Sequence, residues 1–269
     1  MSNYVSQSVR VFWSSAVLAK RALFNWLNPG LWLMQLLTMS LFQIAFFVFV
    51  CKYAGNDSDA QIAYVAIGNA ISSVAYVAVF AVCNITGEEK QQGTLAPVLV
   101  TPANRFSVFV GRAMFQVFNG TLTVFISLFY AWAVFGVDFS IVNWSALITV
   151  VIVTSLTMCG LGLLLSSVGL YLRTSMVIAN IFLFIGLLFS GVNFAVSELP
   201  GPLQPVSYIF PLTYATDAAR DAIQGSSILD VGDLLAYELI TGTAALLLGF
   251  AIFRWFEKLS RETGTMEKF

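Results

Sequence analysis

Thr86 and Glu89 stand three residues apart inside Ile85–Arg105, ITGEEKQQGTLAPVLVTPANR, the longest polar segment between the first and last apolar runs of the chain. At that spacing a hydroxyl and a carboxylate can each take an orphan backbone N–H, so a helix is expected to start there. Glu88, Glu89 and Lys90 fill its first turn, while Gly93 and Pro97 limit its length. A bend through Val100-Thr101-Pro102 comes next. The chemistry on offer is docking: a compact acidic helix held out on one side of an apolar chain.

Other chemistries are excluded by residue type. His is absent and Cys51, Cys83 and Cys159 are scattered, so neither a zinc site nor a Ser-His-Asp triad can be assembled. The three cysteines read as small apolar residues. No G-x-x-x-x-G-K-[ST] loop is present to cradle a nucleotide. The chain has 269 residues, 58% hydrophobic and 10% charged, against about 25% charged in a soluble domain. A net charge of −1 argues against nucleic acid as a partner.

These features predict an all-α membrane protein. Six apolar spans, each near the ~20 residues a bilayer core requires, are placed at 31–51, 61–83, 107–135, 142–168, 175–194 and 233–255. Ahead of them, Val5, Phe12, Ala16, Ala19 and Leu23 fall within an arc roughly 60° wide on a helix. Arg10 and Arg21 lie on the far side, with Lys20 nearer the margin, and Trp13 and Trp26 stand at headgroup level. That is the pattern of an amphipathic interfacial helix, ended by Asn28-Pro29-Gly30. With the N-terminus inside, only Lys52 and Arg220 of the 13 Lys/Arg fall outside. The positive-inside rule then puts both termini and Ile85–Arg105 in the cytoplasm.

Val196–Gly225 is too long for a tight turn and too apolar for a solvated loop. Pro200, Pro202, Pro205 and Pro211 divide it, which predicts short helices dipping into the outer leaflet. Asp217, Arg220 and Asp221 form a local charge cluster there with an expected solvated or capping role.

Polar side chains inside spans face protein or a water-lined path. Asn69, Ser72, Ser73 and Tyr76 share one face of the second span. Gln35 and Gln43 lie on the first span, Gln116 and Asn119 on the third, Asn180 and Asn193 on the fifth. The first, second and fifth spans are candidates to line a translocation route, with Phe184 among several Phe able to wall it. The competing reading is interhelical hydrogen bonding, at roughly 0.6 kcal/mol each, and it is preferred for Gln116 and Asn119. Glu238, the one acidic residue placed within a span, is expected to pair with Arg220 or to sit near the interface.

The coupling stretch resembles that of the ABC-2 type transporter permeases through Glu88 and Glu89, Gly93-Thr94-Leu95, Thr101-Pro102 and Arg105. Ala96-Pro97 stand where the family often has an acidic residue. The outer loop is also similar, through Leu199-Pro200, Pro211-Leu212-Thr213, Arg220 and Gly225. The resemblance implies one transmembrane domain over 1–269, with an interfacial helix at 1–30, a coupling segment at 84–106 and an outer re-entrant loop at 195–231. Thr86 joins the quoted coupling residues in contacting a separate ATPase, which would carry the ATP and Mg, leaving no cofactor on this chain. A second permease copy or paralogue and membrane lipid complete the implied partners, in a bacterial cytoplasmic membrane. The expected function is ATP-driven export of an amphipathic drug-like, antibiotic or lipid-like substrate, the chain itself having no catalytic site. A permease for a lipid-linked polysaccharide is the alternative. An ATP-independent transporter or channel would call for more ionisable groups than Glu238, and a membrane enzyme for His or an acidic cluster.

Overall fold

The computed structural model describes residues 2–26, 28–55, 58–91, 105–172 and 175–263, with side chains described for all except 2–8, 22, 23, 25, 26, 84–91, 105–107, 109, 170–172, 175, 257 and 259–263. Among the described residues every regular element is helical. The helices are α1 (Ser2–Trp26), α2 (Pro29–Tyr53), α3 (Asp59–Gln91), α4 (Arg105–Ala133), α5 (Trp144–Leu172), α6 (Ser175–Phe189), α7 (Gln204–Ser207), α8 (Pro211–Ile223) and α9 (Gly232–Thr263).

Local chemistry sets several of the boundaries. Asn28 caps α2, its Oδ1 accepting from Gly30 N at 2.9 Å, with Pro29 at the first helical position. Asn143 caps α5 in the same way, accepting from Ala146 N at 3.2 Å. The prolines divide the outer loop as expected, into 3-10 turns at Val196–Glu198 and Gly201–Leu203, then α7 and α8. Pro202, Pro205 and Pro211 sit in the first turns of their pieces, where a missing N–H costs nothing.

Among the described residues, five helical stretches are long and apolar enough to cross a membrane: Pro29–Tyr53, Asp59–Cys83, Val110–Ala133, Trp144–Gly169 and the Gly232–Phe256 part of α9. The stretch in α3 is 78% buried and that in α2 only 22%, so α3 is the axis of the bundle and α2 its edge. α4 and α5 pack against α3, and α9 lies along α5. That last approach depends on Gly242, where a Cβ would fall 2.5 Å from Thr157 Cβ.

The helix boundaries correct two expectations. Thr86 and Glu89 do not open a helix, because α3 runs unbroken from Asp59 to Gln91. No proline or other strong breaker separates the apolar part from Thr86, so the existing hydrogen-bond ladder simply propagates, and its backbone N–H groups need no cap. The fifth apolar run is helical only to Phe189, not 194. At 15 residues, α6 rises about 22 Å, short of a ~30 Å hydrocarbon core.

Candidate functional site

The chain breaks out of α6 immediately after Phe189, at a turn built around Gly191. That glycine takes φ +66, open to it at little cost. Three successive carbonyls past the break, those of Ser190, Gly191 and Val192, find donors. Tyr64 Oη donates to Gly191 O at 3.0 Å, and Thr216 Oγ1 to Ser190 O at 3.2 Å. Arg220 Nη2 reaches Gly191 O at 2.9 Å, Val192 O at 3.1 Å and Tyr64 O at 3.3 Å. Its guanidinium lies 3.4 Å from the centroid of the Tyr64 ring, a cation–π contact. Irregular backbone is tolerated at depth when protein satisfies it.

Arg220 is therefore not a solvated loop charge; it is 7% exposed. Of its expected cluster only Asp217 is bonded to it, at 3.3 Å. Burial pulls the guanidinium's pKa down from its ordinary value, with Tyr64 and Asp217 opposing, and an arginine stays charged at physiological pH. The site closes around Gly68 of α3, where a Cβ would stand 2.1 Å from Val192 O and 2.6 Å from Arg220 Nη2. Tyr64, Gly68 and Gly191 gave no sequence signal, because the groups they serve are main-chain carbonyls.

The polar face of α3 is buried and knits the bundle together. Asn69 Nδ2 donates to Asn193 Oδ1 at 2.8 Å, beside the Arg220 site. Ser72 Oγ receives Gln43 Nε2 of α2 at 3.2 Å. Ser127 of α4 meets Ser73 at 3.4 Å. Tyr76, half-buried, lines an apolar crevice between α3, α5, α6 and Phe210–Leu212, with Met158, Phe182 and Leu187 on the other walls. Ser190 Oγ, at the same crevice, has no hydrogen-bond partner among the described residues.

Other candidates lie apart from this face. Gln35 on α2 and Asn180 on α6 are exposed, Asn180 returning its amide to Met176 O of its own helix at 2.9 Å. Phe184 is exposed as well. Asn119 and Gln116 bond each other within α4 at 3.4 Å, so their pairing is along one helix and not between two.

Glu238 does not reach Arg220. It is fully buried in the seam between α9 and α5, where Thr157 Oγ1 donates to its Oε1 at 3.0 Å. The expected pairing across the outer loop fails because Arg220 points the other way, into α3 and the turn after α6.

Of the residues expected to couple, Thr86, Glu88 and Glu89 lie in the last turns of α3, and Arg105 opens α4. Gly93, Thr94, Leu95, Thr101 and Pro102 lie outside the described residues. In sequence, the expected coupling stretch therefore connects α3 to α4, the two helices that pack together at the centre of the bundle.

A family model described as ABC-2 type transporter matches residues 15–223. A curated relative from Escherichia coli strain K12, "Probable multidrug ABC transporter permease YbhR", is 25% identical over 194 residues. Its counterpart in Escherichia coli O157:H7 matches equally. In both, the alignment takes in 68% of this chain and 50% of the relative, so the chain spans about half the length of the curated relatives it matches.

Proposed function

The chain belongs to the ABC-2 type transporter family, and from that premise we propose that it is the membrane permease of an ATP-driven exporter. A separate ATPase binds and hydrolyses the nucleotide with Mg. Thr86, Glu88, Glu89, Gly93, Thr94, Leu95, Thr101, Pro102 and Arg105 make contact with it on the cytoplasmic side. α6 and the chain up to Phe194 make the fifth of six crossings, and α9 the sixth, which returns both termini to the cytoplasm. The pieces from Val196 to Ile223 form the re-entrant outer loop. Two permeases, alike or paralogous, enclose the route.

The observation that carries this reading is the continuity of α3. One helix of 33 residues, about 50 Å long, joins the acidic coupling end to Asn69 and the outer knot around Arg220. A displacement of Glu88 and Glu89 cannot be absorbed by a hinge at the membrane surface, so it arrives at the bundle axis. ATP-driven closure of the ATPase subunits then changes the access of the route.

The cargo is an amphipathic drug-like, antibiotic or lipid-like molecule. In support, the side chains of Tyr76, Met158, Phe182 and Leu187 are apolar where they meet around a narrow crevice, and the Ser190 hydroxyl at its edge has no partner among the described residues. The crevice has room for about one water, so these walls would have to part to admit cargo. Such walls accept shape and offer few fixed hydrogen bonds.

The test is purification of the chain with an ABC-type ATPase co-expressed from the same genome, reconstitution into vesicles and measurement of ATP hydrolysis. A stable complex is expected, and Glu88→Ala with Glu89→Ala should dissociate or uncouple it. Failure to form a complex, or dye export at full rate without ATP, would overturn the proposal.

A further inference from the structure

We propose that the outward face of α1 is a seat for the headgroups of anionic phospholipids in the leaflet it lies against. α1 packs on α4 through the face that carries Phe12, Ser15 and Ala19. The fit is close: a Cβ on Gly111 would lie 2.4 Å from Phe12 O and 2.9 Å from Ser15 Cβ. Ser15 is buried there, and Phe24 adds edge contacts to Trp32 of α2 and Phe115 of α4. The arc expected to meet the membrane through Phe12, Ala16 and Ala19 is therefore turned toward protein.

The opposite face carries different residues. At 3.6 residues per turn, Arg10, Trp13, Val17 and Arg21 fall within roughly 80° of one another, with Val9 and Lys20 at the margin. All six are exposed, Trp13 at 64%. The helix holds no carboxylate, and the sequence has none before Asp57.

Three cations with no acid among them are not stable in hydrocarbon, and Val9, Trp13 and Val17 together are poorly placed in water. The headgroup layer satisfies both sets at once, with the indole at the glycerol level and the cations on phosphate. The start of α2 fixes that level, because Leu31, Leu33 and Met34 are exposed one turn beyond Asn28. A juxtamembrane cation near an anionic leaflet favours it by about fivefold in local affinity. The three together select anionic over zwitterionic lipid.

The proposal goes beyond the exporter reading and is independent of ATP. The full chain is reconstituted in nanodiscs of phosphatidylcholine, and tryptophan emission is titrated with chain-brominated phosphatidylglycerol or chain-brominated phosphatidylcholine. The Trp13 contribution is taken as the difference from Trp13→Phe. The expected result is half-quenching of that contribution at a mole fraction of phosphatidylglycerol about fivefold or more below that of phosphatidylcholine. Arg10→Gln, Lys20→Gln and Arg21→Gln combined should bring the two lipids within about twofold. Arg10→Lys with Arg21→Lys, which keeps the charge and guards against a folding artefact, should retain the preference. Equal quenching by the two lipids in the unmodified chain, or a preference that survives the triple Gln variant, would overturn the proposal. Either result would leave the coupling to an ATPase untouched.

Discussion

Arg220 Nη2 donates to the carbonyl of Gly191 at 2.9 Å, across a sequence separation of 29 residues. The same nitrogen serves Val192 O and Tyr64 O, so one guanidinium joins α8, the broken end of α6 and α3. Removing it takes a charge-assisted bond from Gly191 O, Val192 O and Tyr64 O, each worth about 1.5–3 kcal/mol, although Tyr64 Oη still serves Gly191 O. Arg220→Met should therefore destabilise the protein by at least about 3 kcal/mol. That corresponds to a Tm roughly 8 °C lower by fluorescence-detected size exclusion after heating. Arg220→Lys should be intermediate, since an ammonium cannot stack on Tyr64 and span three carbonyls together. A melting point unchanged in Arg220→Met would mean the knot is not structural.

Gly68→Ala attacks the same place from the other side. Its Cβ would meet Val192 O at 2.1 Å, a backbone atom held by Arg220 and unable to swing away. A destabilisation comparable to Arg220→Lys is expected, and the double variant should cost less than the two single effects added, because both act by displacing one turn. Strict additivity in that cycle would separate Gly68 from the Arg220 site.

Much of this bundle was legible in residue order alone, and the limits have a physical cause. The apolar runs of α2, α3, α4, α5 and α9 announce themselves because a span needs length and low charge, both visible without partners. The prolines of the outer loop mark their own helix starts, and Asn28 marks the entry to α2. Side-chain orientation is different. Lipid and protein interior are equally apolar, so Phe12 and Ala19 of α1 read as membrane-facing when their face packs on α4. Arg220 read as solvated because its acceptors are carbonyls, which every residue possesses. Glu238 was visible as an anomaly, but its partner Thr157 was hidden among many hydroxyls on α5.

The seam between α9 and α5 gives a prediction that separates stability from function. Thr157→Val removes the donor that sits 3.0 Å from the Glu238 carboxyl and should cost about 1–2 kcal/mol. Glu238→Gln keeps an acceptor for Thr157 and should lie within about 1 kcal/mol of the unmodified protein. Glu238→Leu leaves the Thr157 hydroxyl its existing bond to Thr154 O at 3.0 Å, so the fold should persist. If Glu238→Leu melts normally yet abolishes dye export, the carboxyl has a role in transport. Loss of folding in Glu238→Gln would contradict the packing described.

Asp230 supplies a pH effect outside the spans. Its carboxylate accepts from Ser227 Oγ at 2.7 Å and from Ser227 N at 2.8 Å, and those bonds hold its pKa below the ordinary carboxylate value. A carboxyl depressed in the folded state stabilises fully above its unfolded pKa, and that contribution fades as pH falls through the folded value. The unmodified chain should thus lose thermal stability below about pH 4 more steeply than Asp230→Asn does. Parallel melting curves for the two proteins from pH 6 to pH 3 would show that Asp230 contributes nothing to the acid limb.

The continuity of α3 makes the last prediction. Ile85 lies just beyond the apolar stretch ending at Cys83, inside a ladder that continues to Gln91. Ile85→Pro deletes one hydrogen bond and pushes against the carbonyl four residues back, at about 3 kcal/mol in a helix interior. The break falls between the acidic end and the buried face of Asn69, Ser72 and Ser73, and it touches neither. If α3 acts as a rigid lever, the ATPase should still bind this variant and hydrolyse ATP, while dye export from vesicles falls at least tenfold. Ile85→Ala, which preserves the helix, should export normally. Full export by Ile85→Pro would show that motion reaches the bundle by another element, with α4 from Arg105 the next in line.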